Sequence, residues 1–232
     1  MRFTATERAF HWGFALWYLS LLASGLPLWL PGLRGWIYGW NRQVGVRLHL
    51  VSAVLWVVVP LAVILAGDRL ALGGAARDLG SLVREDWAWL RRFPRWLFGR
   101  GGEPPEVDRF NAGQKIYAWF TAGTSAVLLV TGLALCPLGG GGAALASGVV
   151  GSEGVRAWRY AHTIFGLIVV IPVVAHVFFA LVHPRTRPSL AAMLGGRVPA
   201  DWAAAEHPRW FTRMAKQLPT RRDPMIPPSP MP

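Results

Sequence analysis

The chain has a single cysteine, Cys136. A single thiol excludes an internal disulfide, and it excludes an iron–sulfur cluster held by four cysteines of the chain. It also excludes covalent haem attachment through a C-x-x-C-H sequence, because that attachment needs two thiols. Whatever chemistry the chain supports must therefore come from side chains other than cysteine.

Charged residues are also scarce, at 16% of the chain, and only 12 of them are acidic against 24 Lys and Arg. Hydrophobic residues make up 53% of the 232 residues, and 13 of these are Trp. This composition is typical of a polytopic membrane domain with short loops. The net charge of +12 beside apolar runs favours contact with anionic lipid. No zinc spacing or RNA-binding motif accompanies the charge, so we expect no nucleic-acid binding.

Four long apolar runs predict four transmembrane helices, at about residues 9–30, 44–66, 113–135 and 159–183. Each run is long enough to cross a hydrocarbon core of roughly 30 Å as a helix. We therefore expect an all-α membrane protein, a four-helix bundle in one domain over residues 1–215. A basic, Pro-rich C-terminal tail follows at residues 216–232.

The break between the second and third runs, residues 67–110, is the longest in the chain. Within it, residues 83–98 alternate Trp and Phe with Arg, which is typical of a helix lying in the lipid headgroup plane. The alternative is a solvated loop, because Pro94 interrupts the pattern. With four spans, 19 of the 24 Lys and Arg fall on the side that holds this segment and both termini. The positive-inside rule then places both termini in the cytoplasm.

Four histidines lie within the predicted spans. His162 and His176 are fourteen residues apart in the fourth span, which places them about 21 Å apart on roughly one helix face. His11 begins the first span, and His49 begins the second, which runs the opposite way. We therefore expect His11 to match His176 in depth near the cytoplasmic face, and His49 to match His162 near the opposite face.

A histidine in lipid is costly unless it has a partner, so such residues indicate function. For one isolated histidine, a hydrogen bond between helices is an equally good explanation. For His11, a position at the membrane interface is a further explanation. A histidine relay in a transporter is a further alternative. Two pairs at matched depths favour the axial ligands of two haems, and these must be b haems because the thiols are missing. The other two histidines, His183 and His207, are interpreted as interfacial and solvated.

Polar residues gather where the third span begins, at Asn111, Gln114 and Lys115. The free amides and the positive end of the helix dipole also point outward there. These residues could simply cap the helix. They could equally bind the polar head of an apolar ligand.

Several short motifs resemble those of a known family. They are Arg8-x-x-His11-Trp12, Ser24-Gly25-Leu26, Phe110-Asn111-Ala112-Gly113-Gln114-Lys115, Met193-x-x-Gly196-x-Val198 and Trp202-Ala203-x-x-x-Glu206-His207-x-x-Trp210, together with His49, His162 and His176. Over nearly all of residues 1–215 the chain is similar to the gamma, or cytochrome b, subunit of respiratory formate dehydrogenases.

The resemblance implies a subunit of the bacterial inner membrane with two b haems and no catalytic residue of its own. It implies that electrons arrive from an iron–sulfur beta subunit, which serves a molybdopterin catalytic subunit, and reduce menaquinone or ubiquinone. The implied haem ligands are the pairs His11/His176 and His49/His162. The quinone residues would be Asn111, Gly113, Gln114 and Lys115. A cytochrome b subunit of a hydrogenase or of another molybdopterin oxidoreductase is the alternative within this class.

Overall fold

The computed structural model describes residues 1–39, 41–98, 100, 107–136 and 142–217, and this part of the chain is helical, without strands. The predicted all-α architecture is therefore confirmed. The helices are α1 (Ala5–Trp29), α2 (Pro31–Tyr38), α3 (Arg42–Ala66), α4 (Arg69–Gly80), α5 (Arg84–Leu97), α6 (Ala112–Leu135), α7 (Gly142–Ile168), α8 (Val170–Leu181), α9 (Leu190–Gly195), α10 (Ala200–Glu206) and α11 (Pro208–Gln217).

Three stretches of the described chain are long and apolar enough to cross a membrane: α3, α6 and Gly151–Leu181. The first predicted span corresponds to α1, which meets the same test only together with α2, as a helix pair bent by 115°. Trp17, Tyr18 and Ser20 make α1 less apolar than a run of Leu and Val. The described residues thus hold three candidate spans, or four if the bent pair counts as one.

The chain separates into two compact units. The first comprises Met1–Leu82 and Ala112–Val198, and the second comprises Val83–Asn111 and the residues from Pro199 onward. The predicted domain over residues 1–215 therefore draws on both units. Of the predicted tail, residues 216 and 217 end α11, and the remainder lies outside the described residues.

The first unit buries small hydroxyl residues between its helices and exposes large apolar side chains. Within it α1 packs mainly on α3, and α6 packs mainly on α7. Small hydroxyl residues are buried between these helices, namely Ser24, Ser52, Thr124, Ser125 and Thr131. Large apolar side chains point outward, among them Leu16, Val54, Leu65, Leu133 and Ile171. Small residues between helices and apolar residues outside are the arrangement that suits a lipid solvent, so this unit is a membrane domain.

The last span is longer than predicted and contains a break. Its helical run starts at Gly151 rather than near residue 159, and Gly151 has a positive φ of 70° that suits glycine. A turn at Val169 separates α7 from α8. Pro172 lacks a backbone N–H, so the carbonyl of Ile168 loses its usual helical partner, and this accounts for the break.

The segment after α9 closes onto the start of the chain. The backbone amides of Arg2 and Phe3 donate to the carbonyl of Gly196 at 2.7 and 3.4 Å, and the Trp12 indole donates to the carbonyl of Met193 at 2.9 Å. Gly196 has φ +78°, and a Cβ there would lie 2.7 Å from the carbonyl oxygen of Phe3. The motif Met193-x-x-Gly196 thus has a structural role in fastening the N-terminus.

The second unit is built from α5, α10, α11 and the segment before α6. A helix occupies the predicted position, running through Pro94 with Trp89 and Trp96 buried, so the solvated-loop alternative is wrong. Its place at the membrane surface stays a prediction. An exposed ion pair joins Glu85 to Arg209 at 3.1 Å. The pKa of Glu85 is lowered because its carboxylate accepts from its own backbone amide and from Arg209.

His183 and His207 are buried, with only 9% and 4% of their surface exposed. The interpretation of His207 as solvated is therefore wrong, and the interfacial position of His183 stays a prediction. In the second unit, His207 donates from Nδ1 to the carbonyl of Asp108 at 2.7 Å. In the first unit, the His183 ring lies against the rings of Phe178 and Phe179. Histidine is polar only at its ring nitrogens, so a partner or an aromatic neighbour makes its burial acceptable.

Candidate functional site

The four histidines of the predicted spans form two facing pairs in the first unit. The rings of His11 in α1 and His176 in α8 have centres 6.2 Å apart and planes at 56°. The rings of His49 in α3 and His162 in α7 also have centres 6.2 Å apart, with planes at 85°. The structure thus brings together the residues that were matched by depth, and each pair joins an early helix to a late one.

A separation of 6.2 Å suits two imidazoles bound to one metal. A metal–imidazole bond is about 2 Å long and the ring centre lies roughly 1 Å farther, so two rings on opposite sides of a metal have centres about 6 Å apart. Within the described residues, no group of three or more His, Cys, Asp or Glu side chains is placed to hold a metal. Two nitrogen donors per site are what a haem takes from a protein, because its macrocycle supplies the remaining ligands. Both pairs therefore fit haem iron.

The tautomer of His49 is fixed by Ser24 of α1. The Ser24 hydroxyl donates its only proton to the carbonyl of Ser20 at 2.7 Å. The same oxygen lies 3.0 Å from Nδ1 of His49, so it accepts from an Nδ1–H group. Nε2 of His49 then keeps its lone pair and can bind a metal.

His162 is held in the same way by Thr131 of α6. The Thr131 hydroxyl donates to the carbonyl of Val127 at 2.7 Å, and its oxygen lies 2.8 Å from Nδ1 of His162. Since this hydroxyl has also used its proton on its own helix, it accepts from His162. Both members of the pair therefore carry the proton on Nδ1, and in the neutral imidazole Nε2 is available as a ligand.

Each hydroxyl is followed by a glycine against the same ring. A Cβ on Gly25 would lie 3.1 Å from Cε1 of His49, and one on Gly132 would lie 3.3 Å from Cε1 of His162. The sequence signal was a repeat, Ser24-Gly25-Leu26-Pro27-Leu28 and Thr131-Gly132-Leu133-Ala134-Leu135. Sequence reasoning used the first copy only for the resemblance and missed the second.

The surroundings of the His11/His176 pair are aromatic. The Tyr117 ring stacks on His176, with centres 4.8 Å apart and planes at 3°, and Trp12 meets His11 edge-on at 5.3 Å. Within the described part of the chain, no hydrogen bond reaches a ring nitrogen of His11 or His176. Ring packing orients this pair, and sequence reasoning gave Tyr117 no role.

The predicted ligand-binding residues stand at the start of α6. Asn111 immediately precedes this helix and is the last residue of the second unit at this point. In the first turn, Gly113 and Gln114 are half-buried, and Lys115 is only 5% exposed. Tyr117 follows in the next turn and touches His176, so the start of α6 lies beside the His11/His176 pair.

An aromatic cluster lies between the levels of the two pairs along α1. Phe14 and Tyr18 fall between His11 and Ser24 in this helix, and their rings are 5.3 Å apart. Trp56 of α3 joins them, with ring centres 5.5 Å from Phe14 and 6.1 Å from Tyr18. The space between the pairs is thus filled on this side by packed rings.

Comparisons with known proteins find similarity to cytochrome b subunits. Over 213 residues the chain is 24% identical to the cytochrome b556(Fdn) subunit of the nitrate-inducible formate dehydrogenase of Escherichia coli K12, covering 90% of this chain and 89% of that protein. Over 216 residues it is 22% identical to the cytochrome b556(fdo) subunit of formate dehydrogenase from the same strain, covering 93% of each. Residues 2–196 match the family described as prokaryotic cytochrome b561, whose members are implied to carry haem b. The chain belongs to the prokaryotic cytochrome b561 family.

Proposed function

We propose that the chain is the membrane-anchoring subunit of a dehydrogenase, with two b haems that carry electrons from an iron–sulfur subunit to quinone. The observation that carries this proposal is the pair of sites, each with two imidazole rings 6.2 Å apart. A hydrogen bond between helices needs one histidine, whereas two such pairs at different levels suit two metal centres in series.

In this proposal the four histidines would hold the two haems, with Nε2 as the ligand atom of His49 and His162. A haem bound there would supply one-electron transfer. The protein supplies the ligands, the spacing between the sites and a dry surrounding. Phe14, Tyr18 and Trp56 keep water out of the space between the sites on one side.

We further propose that the enzyme complex is a formate dehydrogenase with iron–sulfur and molybdopterin subunits. The support is that the two Escherichia coli relatives are subunits of formate dehydrogenases and align over about nine-tenths of their length or more. The excess of Lys and Arg near both termini supports a cytoplasmic position for these termini in a bacterial inner membrane. Electrons then enter at the His49/His162 site on the outer side.

Quinone reduction belongs to the other end, where α6 begins. Gln114, Lys115 and the amides around Gly113 would bind a quinone carbonyl, and Asn111 adjoins them in the sequence. A quinone bound there would need two electrons and two protons from the cytoplasmic side to become quinol, and the His11/His176 pair would hold the group that supplies the electrons one at a time. Donors at a helix start stabilise the negative charge that a carbonyl oxygen gains on reduction.

The test is the reoxidation rate of the reduced protein by quinone. Protein purified in detergent is reduced with dithionite without air, and a soluble menaquinone analogue is added. Gln114→Ala should leave both haem spectra normal and slow reoxidation by about tenfold, because a hydrogen bond to a charged oxygen contributes about 1.5–3 kcal/mol. Ile116→Ala, on an exposed neighbour in α6, is the control. If the Gln114 variant reoxidises at the wild-type rate, these residues cap α6 and do not bind quinone.

A further inference from the structure

We propose that Ser24 and Thr131 are positioning residues that give the haem at the His49/His162 pair a lower reduction potential than the haem at the His11/His176 pair. This inference rests on the proposed function, because it takes the four histidines as axial ligands. It adds a direction: the difference in potential favours electron flow from the outer site to the inner one.

Both hydroxyls can only accept from the imidazoles. Each has one proton, and each donates it to a carbonyl of its own helix, at 2.7 Å in both cases. The hydroxyl proton is therefore not available to Nδ1, and each imidazole donates an Nδ1–H group to the hydroxyl oxygen beside it.

These hydrogen bonds change the electron density on the ligand nitrogens. An imidazole that donates its Nδ1–H becomes a more basic ligand at Nε2. A more basic ligand stabilises ferric iron over ferrous iron, because the ferric ion carries one more positive charge. Two such ligands on one iron act in the same direction. The hydrogen bonds of Ser24 and Thr131 therefore lower the potential of this site.

The surroundings of the other pair differ. His176 contacts the face of Tyr117, and His11 contacts the edge of Trp12. Within the described residues, no hydrogen bond joins either ring to a hydroxyl or carbonyl acceptor. Ring packing fixes the orientation of these imidazoles without making them more basic, so this site keeps the higher potential.

The repeat of the arrangement argues against a chance contact. Ser24-Gly25 faces His49 and Thr131-Gly132 faces His162, from two different helices. In both copies the hydroxyl reaches Nδ1, and the following glycine leaves room for Cε1 at 3.1 or 3.3 Å. The same hydroxyl and glycine support thus occurs at both histidines of this pair.

The experiment is a spectroelectrochemical titration of the purified wild-type protein and its variants, with the low-spin EPR signals recorded alongside. Thr131→Val removes the hydroxyl and keeps the branched shape, and Ser24→Ala removes the other hydroxyl. Thr124→Val is the matched control: Thr124 lies seven residues earlier in α6, is also buried, and donates to the carbonyl of Phe120 at 2.8 Å. Thr131→Ser keeps a hydroxyl at this position and serves as the conservative variant.

Thr131→Val and Ser24→Ala should each raise the potential of one haem and leave the other unchanged. We expect a loss of about tenfold in the preference for ferric iron, which corresponds to about 59 mV in a one-electron couple. Thr124→Val and Thr131→Ser should titrate like the wild type. Loss of one haem in Thr131→Val, with both retained in Thr131→Ser, also supports the assignment.

Two results would overturn the inference. In the first, the wild type contains two haems, and the Thr131→Val and Ser24→Ala variants have the same reduction potentials as the wild type. The proposed function would then still hold. The other is an equal effect of Thr131→Val and Thr124→Val, since a general packing defect would then explain both. A wild-type protein without haem would instead refute the proposed function itself.

Discussion

The His49/His162 pair and the His11/His176 pair have the same ring separation, 6.2 Å, and different surroundings. Hydroxyls and glycines of the neighbouring helices hold the first pair, whereas aromatic rings hold the second. A shared separation is expected if the same kind of group lies between the rings of each pair. The different surroundings are expected if the two groups must differ in properties. The ligand spacing and the ligand environment are thus separate features of this bundle.

The largest effect should come from removing one ligand. His162→Ala should eliminate the haem of its own pair and leave the other, because the two pairs lie at different levels of the bundle. His176→Ala should do the reverse. Visible difference spectra and a redox titration would detect one remaining component in each variant, with the potential it has in the wild type. Loss of both haems from each variant at normal protein yield would contradict the claim that the two pairs bind haem independently.

A smaller effect should follow from filling the space beside His162. Gly132→Ala places a Cβ 3.3 Å from Cε1 of the imidazole, and the hydrogen bond to Thr131 restrains this ring from moving away. We expect haem binding at this site to weaken by about tenfold, as for other changes next to a metal ligand. Gly123→Ala in the same helix gains the same helix propensity and meets nothing within 4 Å. Haem retention on dilution should separate the two variants, and equal retention would contradict the tight fit.

Removing the aromatic contact of the His11/His176 pair should have a smaller effect on its haem. Tyr117→Leu removes the ring stacked on His176, a contact of about 1 kcal/mol. The potential of the His11/His176 haem should then shift by at most about 40 mV, and the His49/His162 haem should not change. Trp119→Leu, at an exposed site of the same helix, is the control. A shift in the haem of the other pair would show that the surroundings of the two sites are not independent.

The smallest effect on the haems should come from a histidine outside the pairs. His207 is buried and donates to the carbonyl of Asp108 in the second unit. His207→Ala should reduce stability by about 1–3 kcal/mol, because a buried carbonyl loses its donor, and should leave both haems in place. Thermal unfolding and the absorption spectrum would measure the two effects. Loss of one haem at a temperature where the protein stays folded would mean that a ligand has been misassigned.

The helices and the matching of the four histidines were predictable from the sequence. Apolar runs of about 22 residues rarely occur outside membrane-spanning helices, and helix geometry fixes the level of a residue by counting. That these histidines bind haem iron stays a prediction. The bend after α1 was not predictable, because a proline at position 31 is equally typical of the start of a loop.

The roles of Ser24 and Thr131 beside the histidines were not predicted from the sequence, for a physical reason. Ser and Thr inside an apolar helix usually bond to their own backbone, and Ser24 and Thr131 do so as well. Their second contact depends on which helix faces them, and spacing along one helix does not contain that information. The burial of His207 likewise depends on a tertiary neighbour, the carbonyl of Asp108. Only the repeat of hydroxyl, glycine and leucine at residues 24 and 131 pointed to a shared role.

Each histidine pair is proposed to hold one haem, and the other predictions depend on this. The most direct test is the ratio of haem to polypeptide in the purified wild-type protein, measured by the pyridine haemochrome spectrum against amino-acid analysis. We expect two b haems per chain, both low-spin. A ratio of one, or a colourless protein, from preparations supplied with haem during expression would contradict the proposal.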